Sequence, residues 1–293
     1  MRLPADQDKL KRRRSLASWL TAGLLVLVLI LFLTLNGLNA FDETLSVQHY
    51  QVESTKTDTT LRLALLTDLH SNFYGDEQHD LLTALIAAEP DMILIAGDLF
   101  DSKIPADGAE ALLAGLPAGV PVFYATGNNE YKSGQMQALK QIVREAGVEV
   151  LEGECQEFVI KGTEISVCGL DDAAVKRKEM ERQSQILAQQ FNPDLFTILL
   201  YHRPNDRWLS ALLPLEFDLI LNGHLHGGQW RIPGWINGVI GPDQLLFPKY
   251  AGGEYQRGNS VQIVSRGLAK DTTWIPRIFN RPELVVVDIL PQK

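Results

Sequence analysis

The sequence predicts an α/β protein whose soluble part follows one transmembrane helix. Three observations support this prediction: an uncharged apolar stretch at residues 15–41, alternating apolar strands and helical segments from residue 61 onward, and polar clusters directly after five of those strands. Short apolar strands separated by helices are typical of βαβ units and a largely parallel sheet. We therefore divide the chain into a basic N-terminus (1–18), a transmembrane helix (19–40), a connector with a candidate first strand (41–60) and one α/β domain (61–293).

The composition excludes several classes of protein. The 293 residues are 45% hydrophobic and 22% charged, which is ordinary for a globular protein and excludes a disordered or fibrous chain. The net charge of −9 argues against a nucleic-acid partner, because nucleic-acid binders usually carry a basic face. Two cysteines are too few for a disulfide scaffold or for a zinc site built from cysteines alone.

The N-terminal segment has the charge pattern of a signal anchor. Six bases and two acids lie within residues 1–14, and residues 15–41 contain no charge. About 20 apolar residues match the hydrocarbon thickness of a bilayer. The bases before this run and Asp42-Glu43 after it place the N-terminus in the cytoplasm and the domain outside a single-pass membrane anchor. A cleaved signal peptide is the alternative, although Leu38-Asn39-Ala40 is a poor cleavage site, and Arg13-Arg14 loosely resembles a twin-arginine export signal.

Strands and helices alternate along the domain. Apolar runs predict strands over residues 61–67, 92–96, 121–125, 195–200, 217–221, 261–264 and 284–289, and helices over 77–88, 107–115 and 133–146. The strands late in the chain are expected to form a second sheet.

Residues 154–170 predict a hairpin that brings the two cysteines together. Lys161-Gly162 is a suitable two-residue turn, and pairing across it requires residue numbers that sum to 161 + 162 = 323. Cys155 and Cys168 also sum to 323, so we expect them to face each other. A disulfide is allowed outside the membrane. The alternative is two small buried residues that remain reduced.

Five segments carry the polar residues of interest, and each segment follows a predicted strand. They contain Asp68, His70, Asp98, Asp101, Asn128, Asn129, His202, His224 and His226. Right-handed crossovers bring the carboxyl ends of parallel strands to one edge of a sheet. Any one segment also fits a helix cap or a turn, but five together predict a site. Carboxylate, imidazole and amide ligands suit two divalent ions such as manganese, iron or zinc.

The ordered set of motifs resembles the calcineurin-like metallophosphoesterases, whose signature runs D-x-H, GD-x-x-D, GNH(D/E), H and GH-x-H. Four stretches are similar to the membrane-associated bacterial branch typified by YkuE and YaeI: residues 224–229, 247–250, 265–268 and 277–283. The resemblance implies a four-layer αββα sandwich and a metal-dependent phosphoric ester hydrolase, of phosphodiesterase or pyrophosphatase type, that uses a metal-activated hydroxide.

The resemblance also implies two sets of metal ligands. Asp68, His70, Asp98 and His226 would hold one ion, and Asp98, Asn128, His202 and His224 would hold the other, with Asp98 bridging. Two such ions activate the attacking oxygen and clamp the phosphoryl group.

One residue departs from the family pattern. Asn129 stands where the family has a histidine that assists the leaving group, and Asp101 corresponds to the carboxylate that orients this histidine. Asparagine donates a hydrogen bond but releases no proton, so the general-acid step, worth about 10²–10⁴-fold, is in doubt. A substrate with a good leaving group would accommodate this change. The alternative is a catalytically weak pseudoenzyme that acts as a metal-binding module.

The substrate interpretation depends on residues 230–240, which are unusually apolar for a loop beside a polar site. These residues, which include Trp235, are expected to contact an acyl chain or to enter the membrane interface. The alternative is a strand and turn that pack on the core. Arg277 and Arg281 would then steer an anionic head group, although Arg281 has Glu283 as an alternative partner. These features favour a lipid-linked or envelope phosphoester and the membrane as partners.

Overall fold

The computed structural model describes residues 4–242, 245–270 and 275–292. The chain divides into two compact units, Met1–Asp42 and Glu43–Lys293. The first unit contains helix α1 (Pro4–Gly37), and its segment Ser18–Leu35 is long and apolar enough to cross a membrane. The helix extends back through the basic residues instead of beginning at residue 19, because lysine and arginine are good helix formers.

The second unit contains two six-stranded sheets. With elements numbered in chain order, the first sheet is built from β1 (Ser46–Ser54), β2 (Leu61–Leu66), β3 (Met92–Ala96), β4 (Val122–Ala125), β5 (Glu149–Val150) and β14 (Glu283–Pro291). Their order across the sheet is β1-β14-β2-β3-β4-β5. Strands β2 to β5 are parallel, whereas β14 is antiparallel to β2 and parallel to β1.

The second sheet has a parallel centre and antiparallel edges. Its strands are β6 (Cys155–Ile160), β7 (Thr163–Gly169), β8 (Phe196–Leu200), β9 (Leu219–Asn222), β12 (Gly253–Arg257) and β13 (Ser260–Val264), in the order β12-β13-β9-β8-β7-β6. Strands β7, β8, β9 and β13 run parallel, and β6 and β12 close the edges as antiparallel strands. The short strands β10 (Ile240–Gly241) and β11 (Leu245–Leu246) pair separately.

Helices cover the outer faces of both sheets. They are α2 (His79–Ala87), α3 (Asp107–Ala114), α4 (Asn128–Lys132) and α5 (Met136–Glu145) in the first half, and α6 (Arg177–Gln190) and α7 (Arg207–Leu212) in the second. The central core joins the inner faces of the sheets, with Leu63 and Leu94 of one against Ile198 and Leu221 of the other. One further core lies between the first sheet and its helices, and another lies between the second sheet and its helices. The predicted αββα sandwich is therefore confirmed.

One element differs from the prediction. The strand expected at residues 284–289 lies in the first sheet, between β1 and β2, and not with the other late strands in the second sheet. The candidate strand in the connector is real, and it gives β14 its second partner. Apolar content predicted that both strands exist, but the choice of sheet depends on long-range pairing that a local pattern does not encode.

The predicted hairpin is confirmed, together with its cysteine pair. Strands β6 and β7 pair with Cys155 opposite Cys168, whose Cα atoms lie 4.0 Å apart, and the two residues form a disulfide. Lys161 and Gly162 both have positive φ, at 49° and 82°. This conformation is the one that a tight two-residue hairpin requires.

Candidate metal centre

The polar residues that follow the strands meet at one edge of the two sheets. Asp68 and His70 come after β2, Asp98 after β3, Asn128 begins α4 after β4, His202 follows β8, and His224 and His226 follow β9. All seven are buried. The arrangement follows from the parallel strands, whose carboxyl ends point the same way.

The side chains form two groups, and each contains three residues of one predicted ligand set. Asp68, His70 and His226 make one group, and Asp98, His202 and His224 make the other; within each group the ligand atoms lie within 4.8 Å of one another. Asp98 lies between the groups, because its Oδ2 is 3.5 Å from His70 Nε2 and 3.4 Å from His202 Nε2. One carboxylate oxygen thus faces an imidazole of each group.

Asn128 lies beside the second group. With its amide turned so that oxygen and nitrogen both find partners, the nitrogen is 2.8 Å from His224 Nδ1 and the oxygen accepts from Lys132 Nζ at 3.1 Å. His224 Nδ1 is also 3.2 Å from His202 Nε2. One terminal atom of the amide thus faces the second group, and ligation of a cation there would require the oxygen to be that atom.

In His70 and His202, Nδ1 is held by a hydrogen bond and Nε2 faces the carboxylate of Asp98. His70 Nδ1 is 2.9 Å from Asp101 Oδ2, and its Nε2 is buried without a hydrogen-bond partner among the described residues. His202 Nδ1 is 2.8 Å from the carbonyl oxygen of Ala96. Metal-binding histidines are held in this way, with the second nitrogen bonded to a carboxylate or a backbone carbonyl. The donor set therefore fits divalent cations of the manganese, iron or zinc type.

The backbone at the ligands is strained. Five of them have positive φ: Asp68 (54°), His70 (49°), Asp98 (49°), His224 (76°) and His226 (47°). For residues other than glycine such conformations cost of order 1–3 kcal/mol each, and they persist where the surrounding structure fixes them. Strain of this kind clusters at functional sites.

Without cations the carboxylates hold protons on a neighbouring histidine. Burial disfavours the charged form of His202, but Asp98 outweighs burial and raises its pKa to about 10. Burial likewise opposes ionisation of Asp98, yet His202 and His70 keep its pKa well below the usual range. At His226 burial lowers the pKa to about 3, so this ring is neutral and able to bind a metal. Ligation requires the neutral imidazole, so cation binding would displace the proton from His202.

Glu130 supports the site, although the sequence assigned it no role of its own. Its carboxylate accepts hydrogen bonds from the backbone N–H groups of Asp98, Phe100 and Gly127. Burial, followed by the charge of Asp98, raises its pKa to about 7. Glu130 therefore joins the loops after β3 and β4. In the sequence, the signal that could have indicated this role is an acidic residue in a polar segment directly after an apolar strand.

Asp101 corresponds to the family carboxylate that orients the histidine replaced here by Asn129, and in this structure it contacts a predicted ligand. Its Oδ2 contacts His70, and its Oδ1 accepts from the backbone N–H groups of Lys103 and Ile104. Asn129 instead donates to Asp98, from its backbone N to Oδ1 and from Nδ2 to Oδ2, both at 2.7 Å. Asp101 is thus placed to position a ligand and not a proton donor.

Comparison with known proteins assigns the family. A family model described as "Calcineurin-like phosphoesterase" matches residues 61–228. The chain belongs to this family. The calcineurin-like phosphoesterase is 28% identical over 279 residues to an uncharacterised metallophosphoesterase of Campylobacter jejuni, covering 92% of this chain and 69% of that protein. It is 28% identical over 235 residues to the uncharacterised metallophosphoesterase YkuE of Bacillus subtilis, covering 77% of each chain.

Among solved structures, the NAD nucleotidase of Haemophilus influenzae matches with a TM-score of 0.46 and 16% identity, over 72% of this chain. The chain spans 46% of that structure's length. The family and its metallophosphoesterase relatives make the protein a metal-dependent phosphoesterase with a phosphoester substrate. The predicted resemblance to YkuE is confirmed, and membrane association stays a prediction.

A cleft of about 660 Å³ opens over the centre of this phosphoesterase. Its polar wall includes Asn129 and the two lysines Lys103 and Lys132. Its apolar lining comes from Ile104, Pro242, Ile240 and Ile275. The volume lies within the usual range of small-molecule sites.

The three residues predicted to bind substrate occupy different environments in the structure. Trp235 is 90% exposed at the tip of the loop before β10, so the core-packing alternative is wrong. Arg277 is buried, and its guanidinium donates to the carbonyl oxygens of Ala269, Arg266 and Gly267, so it holds a loop and does not steer a head group.

Arg281 donates to the carbonyl oxygens of Thr44 and Leu45, and its expected partner Glu283 pairs with Arg266 instead. The exposed Arg281 is therefore engaged with the segment before β1. Both arginines were candidates by charge alone, and charge does not distinguish a substrate ligand from a loop clamp.

Proposed function

We propose that this chain is a membrane-anchored hydrolase of phosphodiesters or pyrophosphates that works with two divalent ions. The observation that carries the proposal is the position of Asp98 Oδ2 between His70 and His202. Asp68, His70, Asp98 and His226 would hold one ion, and Asp98, Asn128, His202 and His224 the other. When bound, such ions supply an activated water and neutralise charge on the phosphoryl group.

Asn129 favours substrates that need no protonation of the leaving group. Its amide has no proton to transfer, and the backbone N–H and the side-chain Nδ2 of Asn129 each donate a hydrogen bond to Asp98. Phosphodiesters and pyrophosphates with a nucleotide or another phosphate as leaving group meet this requirement. Alkyl phosphomonoesters do not, because their alkoxide is a poor leaving group without a general acid.

The apolar rim of the cleft supports a lipid-linked substrate. Ile240 of β10 lines the cleft, and its partner in β11, Leu246, is exposed together with Phe247. Trp235 and Ile232 are exposed on the loop that precedes β10. Aromatic and aliphatic side chains of this kind are favoured at a membrane interface. We infer that Ile232, Trp235, Leu246 and Phe247 face acyl chains while the polar wall receives the phosphate.

Two features support an extracytoplasmic catalytic domain. The bases of the first 14 residues precede the apolar segment Ser18–Leu35, as expected for a cytoplasmic N-terminus. The disulfide between Cys155 and Cys168 is chemically suited to an oxidising compartment and not to the cytosol.

The proposal is tested with the full chain purified in detergent, stripped of metal and reloaded with Mn²⁺. We expect hydrolysis of an activated diester and of a lipid-linked pyrophosphate, weak hydrolysis of an alkyl monoester, and none after chelation. The variant Asp98→Asn is the negative control. A fully metal-loaded protein that hydrolyses none of these substrates would favour the pseudoenzyme alternative.

A further inference from the structure

Lys132 lies on the cleft wall that Asn129 occupies. Both residues belong to α4, three positions apart, and side chains at this spacing are neighbours on one face of a helix. Both line the cleft. Lys132 Nζ is also 3.1 Å from one terminal atom of the Asn128 side-chain amide. The ammonium group is therefore placed next to the ligand set without belonging to it.

The charge of Lys132 is available to a substrate. The lysine ion pairs among the described residues use Lys56, Lys140 and Lys161. Lys132 is exposed on the cleft wall and forms no ion pair within the part of the chain that the structure describes. A cation on the wall of a cleft, without a carboxylate partner among the described residues, is suited to an anionic ligand.

The chemistry at this wall lacks a donor for the leaving group. When the bond between phosphorus and the leaving oxygen breaks, that oxygen keeps the electron pair and develops negative charge. Asn129 stands at the position where the family pattern has a histidine, but it has no transferable proton and donates to Asp98. A cation with N–H donors stabilises such an oxyanion without giving up its proton.

We propose that Lys132 is a catalytic residue that donates a hydrogen bond to the leaving-group oxygen as this bond breaks. The inference rests on the proposed function. Water supplies the oxygen of the new bond to phosphorus and releases one proton to solvent, the leaving group departs as an anion with the electron pair of the broken bond, and no proton passes from Lys132. The departing oxygen takes its proton afterwards from solvent.

The test uses the full chain loaded with Mn²⁺ and two methyl aryl phosphodiesters that differ only in their leaving group, 4-nitrophenolate or phenolate. We expect Lys132→Met to lower kcat/KM for the phenolate ester about 10²–10³-fold, the range for loss of one oxyanion donor. The nitrophenolate ester should lose far less, because its leaving group needs less stabilisation. Lys132→Arg should restore most of the lost rate, and Lys178→Met, which removes an exposed charge on α6, should change neither substrate.

Three outcomes would overturn the assignment. One is an equal fall for both esters in Lys132→Met, and another is no fall at all. The third is loss of bound Mn²⁺ from this variant, which would assign Lys132 to holding Asn128. In each of these cases the wild type still hydrolyses diesters, so the proposed function stands. Absence of hydrolysis by the metal-loaded wild type would instead overturn the proposed function and this inference with it.

Discussion

Asp101 Oδ2 lies 2.9 Å from His70 Nδ1, so a carboxylate outside the ligand set fixes the ring of a predicted metal ligand. The opposite nitrogen, His70 Nε2, faces Asp98 Oδ2 at 3.5 Å. Backbone N–H groups of Lys103 and Ile104 hold the other oxygen of Asp101. The loop after β3 therefore supplies a predicted ligand, Asp98, and also Asp101, which orients the ring of His70.

Replacing Asp101 by asparagine should weaken metal binding about 10–100-fold, the usual effect of losing a carboxylate that orients a histidine ligand. Metal titration of the stripped protein measures this change. The control is Asp107→Asn, which removes an exposed carboxylate on α3. Equal affinity in Asp101→Asn and the wild type would show that the contact with His70 has no influence on the metal.

Asp98→Asn should reduce turnover to near background, because this side chain faces both ligand groups. His226→Ala should chiefly empty one site and leave about half of the bound metal. Metal analysis and diester hydrolysis of the same preparations test both expectations, with the exposed His79→Ala as the control. Full turnover and full metal content in both variants would refute the dinuclear assignment.

Asn129→His should restore a proton donor for poor leaving groups. We expect the rate with high-pKa leaving groups to rise by about 10²–10⁴-fold, and the rate with low-pKa leaving groups to change little. Asn129→Gln, which keeps an amide, is the matched control. If the wild-type rate does not depend on the pKa of the leaving group, proton donation has not been lost and this prediction is wrong.

Trp235→Ser should raise KM for a lipid-linked substrate in vesicles roughly tenfold, because a large exposed apolar side chain no longer enters the interface. A small soluble diester should be hydrolysed as by the wild type. Val159→Ser removes another exposed apolar side chain, from β6, and serves as the control. An equal loss on both substrates would show that Trp235 acts on the enzyme itself.

The cysteine pair gives a prediction about stability. Loss of the disulfide in Cys155→Ser/Cys168→Ser should lower the free energy of unfolding by about 2–4 kcal/mol, since the bond restricts the unfolded chain. Diester hydrolysis by the folded variant should be unchanged. Thiol titration of the unfolded, unreduced protein provides the direct check. Two free thiols would exclude the disulfide.

Most of the site could be predicted from the sequence because each candidate ligand is marked by its local position directly after an apolar strand. Each ligand follows an apolar strand, and parallel strands place their carboxyl ends together, so Asp68 and His224 meet although they are far apart in the chain. The partners of the ligands were not predictable in this way. Whether Asp101 contacts His70 or position 129 depends on loop backbone angles, and the burial of Arg277 depends on how three separate segments pack.

The insertion of β14 between β1 and β2 has a consequence for biosynthesis. Strand Leu61–Leu66, which precedes Asp68 and His70, has an unpaired edge until residues 283–291 have been translated. At synthesis rates of about 5–20 residues per second this interval lasts roughly 10–45 s. During this interval the nascent chain exposes an apolar strand edge, a state that chaperones would have to protect.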